Sequence, residues 1–371
     1  MIDEFIAGII GRFKIYGDLL SVREFGGGHI NGTFLSEFNQ AGTTVRYTHQ
    51  RINRNVFKHP DEVMENISAV TEHIRARLAA EGVSDTTNRA LTVVRAKDGL
   101  PYCVDANGDY WRTYLFIEKA RSYDLLDSAD LAYKVGAAVG LFQHQLSDYE
   151  GPRLHDTIPR FHDMRWRYEQ FDAALKADAL GRADSAKKEI EFLLANRERG
   201  MILTDGLSRG VISEGITHND TKLNNILFSN TDGEAICMID LDTVMPGTIL
   251  FDTGDLIRTA TITGAEDERD LSAIRFDIEL FKSLVRGYLS RADVFLTATE
   301  RNLIAESGRN ITQIMAVRFL TDYLNGDVYY KISRAGHNLD RARTQIALIS
   351  SMDEQWAEAT GFIESIARKH P

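Results

Sequence analysis

Residues 217–228 read THNDTKLNNILF. His218, Asp220 and Asn225 stand in a stretch too polar for a helix or strand interior, directly before an apolar run. Such a segment reads as a loop held in one shape for chemistry. A carboxylate and a carboxamide five residues apart on a rigid loop can face one point. Asp240, fifteen residues after Asn225 and at the end of the run AICMI, can face it too. Oxygen donors of this kind suit a hard ion such as Mg2+, which takes few protein ligands and keeps phosphate oxygens and water. The remaining carboxylate is then free to accept a proton. Phosphoryl transfer asks for little more: positioned reactants, a metal to neutralise charge, and an acceptor for the nucleophile's proton.

The elements that must position these groups divide at about residue 117. Before it, TFLSEF (33–38) and TVRYTHQRI (44–52) flank Asn39-Gln40-Ala41-Gly42, a hairpin signal. LTVVRA, PYCVD and YWRTYLFIE follow, separated by Asp98-Gly99 and Asn107-Gly108, where glycine accepts positive φ without steric cost. Together these runs predict an antiparallel sheet of about five strands. Val63, Ile67, Val70, Ile74 and Leu78 recur at helical spacing between the two groups, and Gly82 ends the pattern. The expected order is therefore two strands, one helix and three strands.

Beyond residue 117 the pattern is helical. Leu131, Val135, Val139, Phe142 and Leu146 form one stripe, and others run through 276–290, 302–325 and 340–366. The catalytic-looking loop and a short hairpin around Asp232-Gly233 interrupt them. The expectation is an α+β chain with two lobes: a small antiparallel-sheet N-lobe with one helix (1–117) and a larger, mainly helical C-lobe (118–371). A cleft between the lobes is the expected ligand site.

Composition narrows the class. A chain of 371 residues has room for two cores. A net charge of −11 argues against nucleic acid or an anionic membrane as partner, since both need a basic face. The two cysteines, Cys103 and Cys237, lie in separate strand-like runs, against a disulfide framework or a cysteine zinc site. The N-terminal segment has acids where a signal peptide needs bases, and no run approaches the roughly 20 apolar residues of a membrane helix. The expectation is a cytoplasmic protein, monomer or homodimer, acting on a small molecule.

The spacing H-x-D-x-x-x-x-N is also that of a kinase catalytic loop, and Asp240 stands where kinases place a metal-binding aspartate. The chain has D-L-D there rather than D-F-G. THNDTKLNNIL, IDLDTVMPG and FDTGDLIR, with GGGHINGTFL, YWRTYLFIEKARSYD and RFLTDYLNGDVYY, resemble the aminoglycoside phosphotransferase and choline kinase family. Within it the chain looks most like the N-acetylhexosamine 1-kinases. The resemblance spans most of the chain and implies a protein-kinase-like fold, ATP as donor and Mg2+ as cofactor.

By that resemblance Asp220 is the catalytic base facing the acceptor hydroxyl, and Asn225 and Asp240 are the metal ligands. His218 is structural and ties the loop to neighbouring backbone. Gly26, Gly27, Gly28, His29 and Asn31 occupy the place of the phosphate-covering loop. Phe116 and Glu118 flank a hinge whose backbone can meet adenine. His29, Asp220, Arg318 and Tyr329 line the acceptor pocket, and Asp252 and Asp255 brace the catalytic loop.

One departure stands out. Kinases place a lysine on the third strand to hold donor phosphates, whereas RYTHQRI offers Gln50, with Arg51 on the opposite face of a regular strand. Either Gln50 is a neutral substitute or the register differs by one. Two other readings stay open: the same chemistry on an aminoglycoside, choline, homoserine or another sugar, and a nucleotide-binding regulator without turnover. Taken without the resemblance, Arg318 and Asp322, four apart on an expected helix, make an ordinary surface pair.

Overall fold

A computed structural model of the chain describes residues 4–26 and 31–367. The fold is mixed α+β, with an antiparallel N-terminal sheet and a mostly helical remainder. The chain divides into two compact units. The first takes the described residues of 1–122 together with 145–159 and 226–246; the second takes 123–144, 160–225 and the described residues from 247 onward.

In the first unit a short helix α1 (Glu4–Ile10) precedes strands β1 (Asp18–Glu24), β2 (Gly32–Gln40) and β3 (Thr43–Arg51). Helix α2 (Pro60–Ala80) follows, then β4 (Cys103–Val104) and β5 (Tyr110–Leu115). The sheet order is β1-β2-β3-β5-β4, antiparallel throughout. The sheet has the expected five strands but not the expected five. β1 was not foreseen, and LTVVRA forms no strand. It runs beside β5 through Val94 N–H to Thr113 O (2.8 Å) and Leu115 N–H to Thr92 O (3.0 Å), with one isolated bridge at Val93. The observed order is three strands, the helix, then two strands. Ile6, Ile10, Phe13, Phe38, Tyr47 and Trp111 make the core between α1 and one face of the sheet.

Helix α2 follows from its sequence. Pro60 opens it with a fixed φ, Asp61 and Glu62 sit at the positive end of its dipole, and the apolar stripe is buried. Gly82 closes it at φ 79, with Val83 N–H on Leu78 O (2.9 Å) and Gly82 N–H on Ala79 O (3.1 Å). That paired closure needs a left-handed residue, which glycine supplies. A small three-stranded sheet completes this unit: β6 (Ala120–Arg121), β7 (Ile226–Ser229) and β8 (Ala235–Met238), with β7 and β8 forming the expected hairpin over Gly233.

The second unit is helical. Its main members are α3 (Ala129–Leu146), α4 (Met164–Ala177), α5 (Ile249–Ala260), α6 (Ile278–Ala292), α7 (Ile304–Leu324), α8 (His337–Glu354) and α9 (Trp356–Ala367). The last expected stripe is thus two helices, interrupted at Gln355. Helix α7 is buried on nearly all sides and packs on α4, α5 and α8. Glycines let α3 and α6 meet backbone to backbone: a Cβ on Gly136 would lie 2.0 Å from Leu284 O, and one on Gly287 1.9 Å from Tyr133 O. No helix among the described residues is long and apolar enough to cross a membrane.

Candidate active site

The loop from Thr217 to Asn225 lies in the second unit, fastened to α5. Asp252 and Asp255, three apart, share one face of that helix. Asp252 accepts the backbone N–H of His218 at 3.0 Å and of Asn219 at 2.7 Å, and Asp255 accepts that of Thr221 at 3.0 Å. The Thr221 hydroxyl donates to Asp252 O at 2.7 Å. Burial pushes both carboxyls up; His218 and the two amides act against it at Asp252, while at Asp255 Arg258 acts against it and the charge of Asp220 adds to it. Asn219 turns the chain at φ 65, a conformation that asparagine tolerates better than most residues. His218 is fully buried against the ring of Phe142, centroids 5.6 Å apart, in keeping with a structural role.

Asp220 projects from this braced loop with its side chain 30% exposed. Its Oδ2 accepts from Asn225 Nδ2 at 3.0 Å and lies 2.8 Å from Lys222 Nζ. The Asn225 amide also donates to Asp220 O at 2.9 Å. Both bonds use the amide nitrogen, and the carboxamide oxygen is a hard donor of the kind that fits Mg2+. Lys222 was not foreseen as part of the site; its place two residues after the base candidate was the only signal.

Farther along this unit, α7 carries Arg318. Its guanidinium lies over Phe161, Tyr330 and Tyr329, at 5.0, 5.5 and 5.8 Å from the ring centroids. Among the described residues it has no carboxylate within ion-pair distance. The surface-pair reading of Arg318 and Asp322 does not hold, because both are buried. Asp322 instead accepts the N–H groups of Val328, Tyr329 and Tyr330 at 2.8–2.9 Å, and an amide hydrogen of Asn338. It shapes the loop that presents the two tyrosines. A second guanidinium, Arg167, is held at Phe161 O (2.7 Å); burial, then the charge of Arg318, lowers it to about 9.

In the first unit Gly27, Gly28 and His29 lie outside the described residues. Asn31 is described: its oxygen accepts Asn53 N–H at 3.0 Å and its amide donates to Asp242 Oδ2 at 2.7 Å. The strand register at Gln50 is regular. Arg51, on the opposite face at the end of the strand, is itself exposed and lies 3.5 Å from Asp109, while Gln50 pairs across the ladder with Thr33 and Arg112. Gln50 donates to Thr33 Oγ1 at 3.2 Å and accepts from Arg112 Nε at 2.9 Å. Arg112, which sequence reasoning missed, is 1% exposed and ion-paired to Asp242. Burial works against its charge, but Asp242, Tyr114 and Asp240 outweigh burial and hold its pKa above the ordinary value.

Asp240 takes a left-handed backbone (φ 61, ψ 55) and opens a single 3-10 turn, Leu241–Thr243. Phe116 and Glu118 are both engaged with Arg46. Phe116 N–H donates to Arg46 O at 3.0 Å, and Glu118 Oε1 accepts from Arg46 Nε at 2.8 Å. The Arg46 guanidinium also covers the Phe116 ring at 4.3 Å. Cys237 is buried, which pushes its thiol up to about 12 and leaves it a core residue.

The family model of the APH phosphotransferase enzymes matches residues 21–290. The chain belongs to that family. Solved structures share its fold over nearly the whole length. A microcompartment-associated aminopropanol kinase has a TM-score of 0.59 at 17% identity, covering 96% of this chain and 99% of that one. Choline kinase from Cryptosporidium parvum Iowa II has 0.58 at 14%, covering 98% of each. A spectinomycin phosphotransferase in complex with ADP and spectinomycin has 0.56 at 13%, covering 97% and 98%. The protein is thus a phosphotransferase-family chain with the fold of these small-molecule kinases, and kinases of the family use ATP and Mg2+.

Proposed function

We propose that this kinase phosphorylates the anomeric hydroxyl of an N-acetylhexosamine, N-acetylglucosamine or N-acetylgalactosamine, to give the sugar 1-phosphate. The observation that carries the acceptor class is Arg318. A buried guanidinium among aromatic rings, with Arg167 beside it and no carboxylate within ion-pair distance among the described residues, repels the cationic acceptors that choline or an aminoglycoside would bring. Hydrogen-bond donors beside aromatic faces suit a neutral sugar. The segment RFLTDYLNGDVYY, which resembles the hexosamine kinases, contributes Arg318 and Tyr329 to this wall.

In this reading Asp220 orients the acceptor hydroxyl and takes its proton as the new O–P bond forms. The bond from the γ-phosphorus to the β-phosphate oxygen breaks, and ADP leaves. Asn225 and Asp240 would hold Mg2+. The pairing of Ile226 with Met238 puts entry to and exit from the β7–β8 hairpin at one end, which supports using the residues that flank it together. When bound, the ion neutralises charge on the donor phosphates. Among the described residues no three His, Cys, Asp or Glu side chains cluster as a metal site, so the ion would share its coordination with nucleotide oxygens and water. Gly27, Gly28, His29 and Asn31 would serve the phosphates, Phe116 and Glu118 the adenine, and His29 also the sugar; Gln50, expected from the resemblance as a neutral substitute for the lysine, has both ends of its carboxamide taken by Arg112 and Thr33. The assignment of 1–117 to nucleotide and 118–371 to catalysis and acceptor, and a cytoplasmic location, belong to the same proposal.

The test is ADP release with ATP and Mg2+ against N-acetylglucosamine, N-acetylgalactosamine, their unacetylated relatives, choline, homoserine and an aminoglycoside, with Asp220→Asn as control. Turnover on the N-acetylated hexosamines, reduced about 10²–10⁴-fold in the control, is the expected result. Turnover only on a cationic acceptor overturns the substrate class, and an active control overturns the base.

A further inference from the structure

The position on β3 where kinases carry a phosphate-binding lysine is neutral here, yet a buried cation stands directly across the ladder from it. Arg112 on β5 is the cross-strand partner of Gln50 and takes its carboxamide oxygen on Nε. A charge 1% exposed cannot meet a phosphate without leaving its place. What it meets is Asp242, two residues past Asp240.

Asp242 is held from several sides. One oxygen pairs with Arg112 and the other accepts from Asn31 at 2.7 Å, while its backbone oxygen accepts from Thr157 Oγ1 at 3.2 Å. Just beyond, Val244 O accepts from Asn66 of α2 at 2.9 Å. The turn that carries Asp240 is therefore pinned by charge at Asp242 and by α2 at Val244. Only the single 3-10 turn and a left-handed Asp240 separate these anchors from the carboxylate that would meet the metal. A left-handed backbone is costly for a residue other than glycine and persists where its surroundings over-determine it.

We propose that Arg112 is the positioning residue for Asp240: acting through Asp242, its guanidinium holds the 240–243 turn in the shape that presents Asp240 to Mg2+. This is the task left to the sheet's buried cation once β3 has no lysine, and it makes Gln50 a holder of Arg112 rather than a phosphate ligand. The inference rests on the reading of Asp240 as a metal ligand.

The experiment is a titration of Mg2+ against ATP binding to the full chain, with melting temperature measured alongside. The variants are Asp240→Ala, Arg112→Met and Arg112→Met/Asp242→Leu. The first reports on Asp240 itself. Arg112→Met alone strands a buried carboxylate and melts early, whereas the apolar pair removes both charges and is expected to recover melting temperature. The Mg2+ needed for half-saturation is expected to rise at least about tenfold in Arg112→Met and to stay raised in the recovered double variant. A double variant that regains both melting temperature and the wild-type Mg2+ requirement overturns the inference while leaving Asp240 in place. An unchanged requirement in Asp240→Ala removes the metal ligand, and the inference falls with it. If the double variant does not fold, Asp242→Asn, which keeps the side-chain shape, is read the same way: a folded protein with the wild-type requirement refutes the proposal.

Discussion

Asp252 binds two successive backbone N–H groups, with His218 on one carboxylate oxygen at 3.0 Å and Asn219 on the other at 2.7 Å. The carboxylate is fully buried and stands where a loop of polar residues has no ladder of its own to hold it. Asp252→Asn keeps the shape but must turn an NH2 group toward one of those donors. Leaving a buried donor unmet costs about 1–3 kcal/mol. The expected outcome is a lower melting temperature together with turnover reduced at least about tenfold, because the loop bearing Asp220 loosens. Turnover and melting temperature both at wild-type level would show that the loop holds itself.

Restoring the kinase lysine should not help this protein. Gln50→Lys places an ammonium against the buried Arg112 guanidinium in place of a hydrogen-bond acceptor. Like charges at that separation disfavour each other strongly where water is excluded. ATP affinity and melting temperature are both expected to fall. A gain in ATP affinity in a calorimetric titration would instead mark position 50 as a phosphate site.

Helix contact in the second unit depends on absent side chains. Gly136→Ala would drive a methyl to 2.0 Å from Leu284 O and 2.8 Å from Tyr288 N, both backbone atoms that cannot rotate away. Overpacking of this kind costs about 1–3 kcal/mol or more. Gly361→Ala on α9 meets open space and is expected to stabilise by up to about 1 kcal/mol through helix propensity. Melting temperatures should move in opposite directions for the two substitutions, and movement in the same direction would contradict the packing account.

Acid should loosen the N-terminal sheet through His49. It lies fully buried between Ser36 (2.7 Å) and Thr113 (2.8 Å), and burial pushes its pKa down to about 3. Unfolded, it titrates near the ordinary value of about 6.5. Between those values the unfolded chain binds a proton that the folded chain refuses. Stability therefore falls as pH drops below about 6.5, by up to about 1.4 kcal/mol per unit from this group, and the loss is complete near pH 3. In His49→Gln, denaturant unfolding at pH 7, 6 and 5 should show a shallower dependence on pH. An unchanged slope would assign the acid sensitivity elsewhere.

Much of the loop that bears Asp220 was legible because its contacts are local. Asp220 and Asn225 are five apart, and the bonds between them need nothing from the rest of the chain. The braces at Asp252 and Asp255 came from the family resemblance, and the structure supplies the physical reason: carboxylates on the first turns of a helix collect the amides of the loop against it. The edge strand β1 was not legible: in DLLSVRE the two residues packed on the core, Leu19 and Val22, fall out of alternation across an irregularity between Leu19 and Ser21, so the period-2 signal is lost. LTVVRA misled in the opposite sense, being strand-like in composition but held beside β5 by only a few bonds. Arg112 was hidden because its meaning is non-local. Nothing in YWRTYL says that residue 242, far along the chain, will supply the countercharge.

The proposed acceptor wall has a further consequence for anyone wishing to redirect this protein. Tyr329 and Tyr330 are aimed by a residue that need not touch the acceptor, since one carboxylate, Asp322, collects the three amides that set the path of their loop. Val328 and Tyr329, 78% and 64% exposed, are borne on that path without being needed to define it. A library that varies 328 and 329 while keeping Asp322 and Asn338 would thus change the surface offered to an acceptor on a constant backbone. One that touched Asp322 would mix altered selectivity with a collapsed loop, and its failures could not be interpreted.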